Sequence, residues 1–304
     1  MKNYIKALRE NPYVKEKELG NNISSFNFTR KAFKKNIWDD QTIRARGLFI
    51  DIENQEIIAR SFDKFFAGDE QGSKTFKGFT YPAYAYEKYN GFLGICSGGK
   101  DGKELFLASK STDKGEFRDR FAEILDTYLS KSMQSAVANY LYRNDCTAVF
   151  EVIDPIEDPH IVEYDNRQLR LLALVDNTID FHQASHYTLK WFAELIGVPY
   201  KKRLAVIYDD KELKRFLKDE KKKKYVEGAV LEDAAGNMMK VKTTWYKSWK
   251  KVRGQMEYYK AHGDKKEELD NLDLKVFIDE HPDGNVIEYR KYLTKKFLDK
   301  IQEP

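Results

Sequence analysis

The stretch that decides the fold assignment is Tyr84-Ala-Tyr-Glu-Lys-Tyr-Asn-Gly-Phe-Leu-Gly94. Its apolar and aromatic residues predict a β-strand, and Gly91 predicts a turn where that strand ends. Lys88 therefore lies at a strand end, where its amine can be held partly desolvated. Only the neutral amine of a lysine attacks an electrophile, so this position suits a covalent lysine nucleophile.

Three later segments add chemistry in strand-like contexts. Glu151 interrupts the β-prone run 148–153, where a carboxylate either faces solvent by simple alternation or lines a site. Glu227 precedes a glycine that lets a ligand approach the backbone closely. Lys240 and Lys242 alternate along one strand, so both face the same side. On a surface strand such a pair carries no meaning, whereas on a buried face it indicates an anionic ligand.

A lysine that attacks a phosphoanhydride needs a lowered pKa, a neutralised phosphate and a bound divalent metal. Lys240 and Lys242 supply positive charge, and we expect it to lower the pKa of Lys88. Either glutamate can bind ribose hydroxyls or the water shell of Mg²⁺. Two cations near the first predicted hairpin, Arg46 and Lys64, are further candidates for phosphate ligands. Arginine offers a planar fork and lysine a point charge.

The composition predicts a folded enzyme. The chain has 304 residues, of which 41% are hydrophobic and 34% charged, which favours a globule over disorder. No apolar run is long enough to span a bilayer, and the charged N-terminus does not resemble a signal peptide. The two cysteines form no metal motif, so we expect a reducing, cytoplasmic location. The sequence contains no HExxH motif, Walker A motif or Gly-x-Ser-x-Gly elbow.

Hairpins that alternate with helices predict an α+β fold of antiparallel sheets with flanking helices. The prediction divides the chain into a domain over residues 1–244 and a small helical region over 245–304. Residues 1–40 are expected to be helix and loop, and residues 117–142 one long amphipathic helix. The expected strands and strand pairs cover 45–61, 84–95 with 105–108, 147–153, 169–175, 204–208 and 228–242. Helices are expected over 187–196 and 210–222, with breaks near Gly263 and Pro282 beyond residue 245.

Basic residues cluster despite a net charge of only +4. One run covers residues 221–224. A second, over 240–253, interleaves lysines and an arginine with aromatic residues, a composition that suits a phosphate backbone with bases to stack on. The alternative for each cluster is a solvated helix face. The second cluster adjoins the predicted site, so an RNA-binding function is favoured there.

Together these residues resemble the covalent nucleotidyltransferase superfamily of RNA ligases, DNA ligases and capping enzymes. The resemblance covers about residues 44–250 and is greatest to RNA ligases of the phage tRNA-repair and fungal tRNA ligase type. Its motifs here are Lys88-Tyr-Asn-Gly91, Phe150-Glu151, Glu227-Gly228 and Lys240-Val-Lys242. The segments Ala45-Arg-Gly-Leu-Phe49, Arg60-Ser-Phe-Asp-Lys-Phe-Phe66 and Leu107-Ala-Ser-Lys-Ser111 sharpen the match to that branch. Asn90 departs from the more common aspartate of the first motif.

The resemblance implies an ATP-dependent reaction in three steps. Lys88 takes AMP from ATP, AMP passes to an RNA 5′-phosphate, and an RNA 3′-hydroxyl displaces it, with Mg²⁺ or Mn²⁺ as cofactor. The resemblance implies that Lys88 and Gly91 contact the nucleotide, and that Arg46 and Lys64 contact the triphosphate or the RNA phosphate. Glu151 is implied to bind the ribose, and Glu227 the metal, directly or through water. Lys240 and Lys242 are implied to bind the α-phosphate. RNA repair is the implied process, with tRNA-like or other single-stranded RNA ends as substrate and a separate end-healing kinase or phosphatase as a possible partner.

Two alternatives stay open from the sequence. One keeps the covalent lysine but changes the acceptor, as in a capping guanylyltransferase or a DNA ligase. The other is an inactive RNA-binding module, although a dead enzyme has no physical reason to keep Lys88, Glu227, Lys240 and Lys242 together.

Overall fold

A computed structural model describes residues 1–68, 79–262 and 271–302, without the side chains of the last four of these. It contains three sheets, whose strands pair antiparallel except at one edge. The first sheet has the order β1-β2-β3-β4, with the strands Val14–Gly20, Ile23–Phe28, Leu48–Asp51 and Glu56–Arg60. The second has the order β10-β9-β7-β8, with Gln168–Asp176, Cys146–Ile153, Phe92–Ser97 and Phe106–Ala108. The third has the order β11-β6-β12-β13-β5, with Arg203–Ile207, Ala83–Lys88, Gly228–Glu232, Met238–Lys242 and Phe66–Ala67.

Ten helices flank or follow these sheets in the described part of the chain. They are α1 (Lys2–Glu10), α2 (Arg30–Lys35), α3 (Asp40–Arg44), α4 (Glu116–Tyr128), α5 (Lys131–Arg143), α6 (His186–Ile196), α7 (Asp210–Glu220), α8 (Thr244–His262), α9 (Leu272–Glu280) and α10 (Val286–Gln302). The largest apolar cluster lies where α4, α5 and α6 cover the second sheet. Within the described ranges, no helix combines the length and the apolar character that a membrane span requires.

Most of the predicted elements are confirmed. The hairpin over residues 48–60 forms, and so does the hairpin of β12 and β13, with Gly228 opposite Lys242. Helix α6 ends at Gly197, which adopts the left-handed conformation that glycine favours. A break near Pro282 separates α9 from α10, whereas the break predicted near Gly263 lies outside the described residues. The domain boundary at residue 244 stays a prediction.

The prediction of helix and loop for the first 40 residues is confirmed for α1 and α2 and wrong between them, because β1 and β2 form a hairpin there. Strand β1 carries four charged residues and lies at the sheet edge, so it lacks the apolar alternation of a half-buried strand. The signal that was available is the turn, Gly20-Asn21-Asn22, in which all three residues have positive φ angles.

The β-prone run over residues 84–95, with its predicted turn at Gly91, forms two strands that lie in different sheets, β6 and β7. They separate at Gly91, where a Cβ atom would lie 2.1 Å from the carbonyl oxygen of Val152 on the facing strand. Strand β7 then pairs with β8, as expected. The long helix predicted over residues 117–142 is also two helices, because the Ser130 hydroxyl accepts the N–H of Met133 and starts α5.

Candidate active site

The pairing of three strands brings the predicted lysines together. Gly228 lies opposite both Lys88 on β6 and Lys242 on β13, and Val230, two residues further along β12, lies opposite Lys240. Since side chains alternate along a strand, Lys240 and Lys242 share one face. Both line a cavity of about 230 Å³ that Lys88 also lines, which confirms the expected shared face.

A single carboxylate links two of these lysines. Glu227 is 3% exposed, and its Oε1 atom lies 2.9 Å from the Lys88 Nζ atom and 3.2 Å from the Lys242 Nζ atom. Its Oε2 atom accepts a hydrogen bond from the Asn90 amide at 3.0 Å. The carboxylate therefore fixes the Lys88 amine at the end of its strand.

The expected fall in the pKa of Lys88 is not found. Burial lowers the pKa of this amine, but the charges of Glu227 and Glu151 raise it by more, so the net pKa lies above the ordinary value. Burial does lower the pKa of Lys242 against the attraction of Glu227. The prediction considered the neighbouring cations and overlooked the carboxylate between them. Before nucleotide binds, Lys88 is thus held as an ammonium ion.

Glu151 projects from β9 toward the turn that carries the nucleophile. Its Oε1 atom accepts the backbone N–H of Gly91 at 2.7 Å. Burial raises the pKa of Glu151 to about 7, with Lys88 lowering it and Glu227 raising it further. Glu151 is therefore a carboxyl group that titrates near neutral pH, directly beside the amine.

Arg46 and Lys64 line the same cavity as the three lysines. The Arg46 guanidinium donates to the Ser61 hydroxyl and to the Phe62 carbonyl, at 3.2 and 3.3 Å. The Lys64 ammonium lies 3.8 Å from the centroid of the Phe66 ring. The structure thus gathers all the predicted cations, Arg46, Lys64, Lys88, Lys240 and Lys242, around one cavity.

The structure adds a hydrogen-bonding centre that the sequence interpretation did not contain. Besides Glu227, the Asn90 amide donates to the Tyr246 hydroxyl at 3.2 Å, and its oxygen accepts the N–H groups of Ile161 and Val162, each at 3.1 Å. The backbone N–H of Asn90 donates to the Tyr164 hydroxyl at 3.0 Å. No local pattern indicates these partners, since the nearest is 71 residues away in the chain.

The loop that contacts Asn90 also contacts the last helix. The Arg290 guanidinium on α10 donates to the Ile161 carbonyl at 3.0 Å and pairs with Glu163. Tyr246 on α8 and Val286 on α10 bury their side chains against Ile161. The C-terminal helices thus pack against the loop beside the nucleophile.

A second cavity, of about 390 Å³, opens on the other side of Lys88. Glu227 and Gly91 line it together with the basic residues Lys250 and Arg253 of α8. Part of the predicted basic cluster therefore faces the site. No group of three or more metal-ligating side chains occurs in the described residues, so a metal here would depend on few protein ligands.

Two comparisons by sequence concern this site. A family model described as RNA ligase matches residues 44–246. The tRNA ligase 1 of Schizosaccharomyces pombe is 32% identical over 196 residues, an alignment that covers 59% of this chain. The same alignment covers only 25% of that protein, so the chain spans about a quarter of the curated relative it matches.

Comparison of structures concerns the fold alone. An archaeal ATP-dependent RNA ligase has a TM-score of 0.58 at 15% identity, covering 95% of this chain and 73% of that one. A putative ATP-dependent DNA ligase from Aquifex aeolicus has a TM-score of 0.53 at 16% identity, covering 86% and 66%. These likenesses confirm the predicted α+β fold with antiparallel sheets and flanking helices.

Proposed function

This chain belongs to the RNA ligase family, and from that premise we propose that it joins RNA ends in an ATP-dependent reaction. A 5′-phosphate end is joined to a 3′-hydroxyl end through a lysyl-AMP and an RNA-adenylate. The observation that carries the proposal is the placement of the Lys88 amine in a cavity lined by five other cationic side chains. Membership of this family favours RNA over the acceptors of capping enzymes and DNA ligases.

In the first step, the Lys88 nitrogen forms a bond to the α-phosphorus of ATP, and the bond from that phosphorus to the bridging oxygen of pyrophosphate breaks. The amine must first release a proton to solvent, and the negative charges of Glu227 and Glu151 oppose that release. Glu227 also forms an ion pair with Lys242, which can hold the carboxylate in place when Lys88 becomes neutral. Lys88 attacks once its ion pair with Glu227 is weakened.

A divalent cation fits this arrangement in a limited way. Glu227 offers hard carboxylate oxygens of the kind that Mg²⁺ and Mn²⁺ accept, and Mg²⁺ commonly keeps several waters and binds phosphate oxygens besides one or two carboxylates. Such an ion would neutralise phosphate charge and compete with Lys88 for Glu227. Which of the two metals serves is a matter for assay.

The remaining cations are proposed to bind phosphate. Lys240 and Lys242 lie on β13, which β12 separates from the strand of the nucleophile, and both line the cavity of Lys88, so they are placed to neutralise the α-phosphate as charge develops on it. Arg46 and Lys64 approach the cavity from the first sheet and the segment that follows it, and we assign them to the triphosphate or the RNA phosphate. Glu151 is assigned to the ribose.

In the second step the AMP phosphorus moves from Lys88 to an RNA 5′-phosphate oxygen, and in the third a 3′-hydroxyl attacks that 5′-phosphate and releases AMP. The basic residues Lys250 and Arg253 on the far side of Lys88 are placed to meet the RNA. Broken tRNA-like ends are the proposed substrate, since the aligned S. pombe protein is called a tRNA ligase. A separate end-healing partner and a cytoplasmic location stay predictions.

The test is transfer of label to the protein. The chain is incubated with α-labelled ATP, and separately GTP, with Mg²⁺ or Mn²⁺ and no RNA, followed by denaturing electrophoresis. We expect label from ATP on the wild-type chain and none on Lys88→Ala. Lys103→Ala, a change at an exposed lysine that pairs with Asp101, is the matched control and should label normally. Labelling of Lys88→Ala would remove this lysine from the nucleophile role.

Joining is tested with a 5′-phosphorylated RNA and a DNA of the same sequence. We expect an RNA-adenylate and a joined RNA product, and little joined DNA. Preferential joining of DNA would contradict the assignment of the acceptor.

A further inference from the structure

The cavity that contains Lys88 has a second end about one nucleotide away. Along β12, Gly228 faces Lys88, whereas Glu232, four residues further, faces Tyr84 and Met238. A strand rises about 3.3 Å per residue, so these two levels are about 13 Å apart. One cavity therefore extends from the proposed phosphate ligands to Glu232, a distance that suits a nucleoside monophosphate lying along the strand.

A buried ion pair lines that far end. Lys201 and Glu232, 5% and 9% exposed, are joined by a bond of 2.5 Å between the Lys201 Nζ atom and the Glu232 Oε1 atom. The same ammonium lies 4.3 Å from the centroid of the Tyr86 ring. In the described part of the chain, the Glu232 side chain bonds through Oε1, which leaves Oε2 for another donor.

A purely structural role explains this pair poorly. Withdrawing two charges from water is unfavourable, and a well-packed apolar pair in such a place is often equally or more stabilising. The cavity wall also contains apolar side chains that can cover a base: Phe65, Leu93, Leu172, Val230 and Met238. A donor and an acceptor beside apolar side chains at one end of the cavity indicate recognition of a polar ring edge.

We propose that Lys201 and Glu232 select adenine, an inference that rests on the proposed function because it places a nucleotide in this cavity. The Glu232 carboxylate accepts a hydrogen bond from the N6 amine, and the Lys201 ammonium donates to N1. Guanine in the same orientation presents its O6 atom to the carboxylate and its N1–H to the ammonium, which reverses both contacts. The pair therefore determines specificity and takes no part in the chemical steps.

The inference is tested by equilibrium binding of nucleoside monophosphates, measured by calorimetry. The probes are AMP, GMP and purine riboside 5′-monophosphate, which lacks the N6 amine. None of them carries a pyrophosphate leaving group, so binding is measured independently of transfer to Lys88. For the wild type we expect AMP to bind about 10- to 100-fold more tightly than either of the others, because one hydrogen bond is made to a charged group.

The decisive variant is Lys201→Met/Glu232→Leu, which removes both charges and retains side-chain bulk. We expect it to bind AMP and purine riboside monophosphate with equal affinity. The matched control is Lys100→Met/Asp51→Asn, which breaks an ion pair of the same length, 2.5 Å, between an exposed lysine and a buried carboxylate outside this cavity. It should keep the wild-type preference. If the apolar variant does not fold, Glu232→Gln decides, and it should reduce the preference for AMP at least about threefold.

Three outcomes would overturn the assignment: equal wild-type affinity for AMP and the analogue, an unchanged preference in the variants, or tighter binding of GMP. If none of the three monophosphates binds to the wild-type chain, the assignment is overturned as well. A wild-type chain that prefers AMP but takes no label from ATP would keep the base assignment and refute the ligase proposal. A wild-type chain that is labelled by ATP but shows no preference among the monophosphates would support the ligase proposal and refute the base assignment.

Discussion

Exchange of Glu151 for glutamine should change how the stability of the chain depends on pH. The amide keeps the shape of the side chain and an oxygen that can accept the Gly91 N–H, so the turn beside the nucleophile is retained. The substitution removes the titration of the Glu151 carboxyl group. Glu227 has a lowered pKa and Lys88 a raised one, so neither changes its charge between pH 5 and 8, whereas Glu151 does.

The sign follows from the two states of Glu151. Burial raises its pKa in the folded chain to about 7, from an ordinary value of 4.5. Between these values the folded chain binds more protons than the unfolded chain, so the free energy of unfolding decreases as the pH rises. The difference between the two pKa values corresponds to a loss of about 3 kcal/mol, nearly complete by pH 8. Glu151→Gln removes this loss.

Denaturation by urea at several pH values between 5 and 8 measures the effect. The free energy of unfolding of Glu151→Gln, minus that of the wild type, should increase by about 2 to 3 kcal/mol over this range. Glu16→Gln is the control with opposite sign, because the hydrogen bond from Arg9 lowers the pKa of Glu16. Its difference from the wild type should become slightly more negative as the pH rises. A Glu151→Gln difference that is constant with pH would refute the reasoning.

Five other substitutions examine the site and its support. Lys240→Ala and Lys242→Ala should each slow labelling by ATP on the order of 100-fold, and near-normal labelling of both would exclude their phosphate role. Gly91→Ala should destabilise by more than about 3 kcal/mol in urea, because its methyl group meets a backbone carbonyl, while Gly254→Ala, with open space in a helix, should stabilise by about 0.5 to 1 kcal/mol. A smaller effect of Gly91→Ala would show that the chain at Gly91 can move away from β9. Arg290→Met should destabilise by about 2 kcal/mol and slow labelling, although residue 290 lies outside the cavities described above, and an unchanged labelling rate would disconnect the C-terminal helices from catalysis.

The residues of the site could be predicted from the sequence where the information is local. The hairpin of β12 and β13 has alternation and a turn rich in small residues, so the positions of Lys240 and Lys242 relative to Gly228 follow from pairing rules. Lys88 and Gly91 lie together in one motif. A strand end next to a glycine turn is a local feature, and the structure places Lys88 and Gly91 at such a strand end.

Contacts between distant segments could not be predicted. Lys201 and Glu232 are 31 residues apart in the chain and meet only through tertiary packing, and neither residue belongs to a recognisable motif. The raised pKa of Lys88 likewise depends on the position of Glu227, 139 residues away in the sequence. The sequence predicts the turn at Gly91, but no periodicity reveals that β6 and β7 join different sheets or that Gly91 approaches another strand closely.

The hydrogen bonds of Asn90 have a thermodynamic consequence. Its amide is bonded at one end to Glu227 and at the other to the N–H groups of Ile161 and Val162, and Arg290 bonds the carbonyl of Ile161. A molecule that binds the C-terminal helices and shifts this loop therefore changes the affinity of the site for its nucleotide. Reciprocity then requires that the nucleotide change the affinity for that molecule by the same factor, so occupancy of either place is communicated to the other.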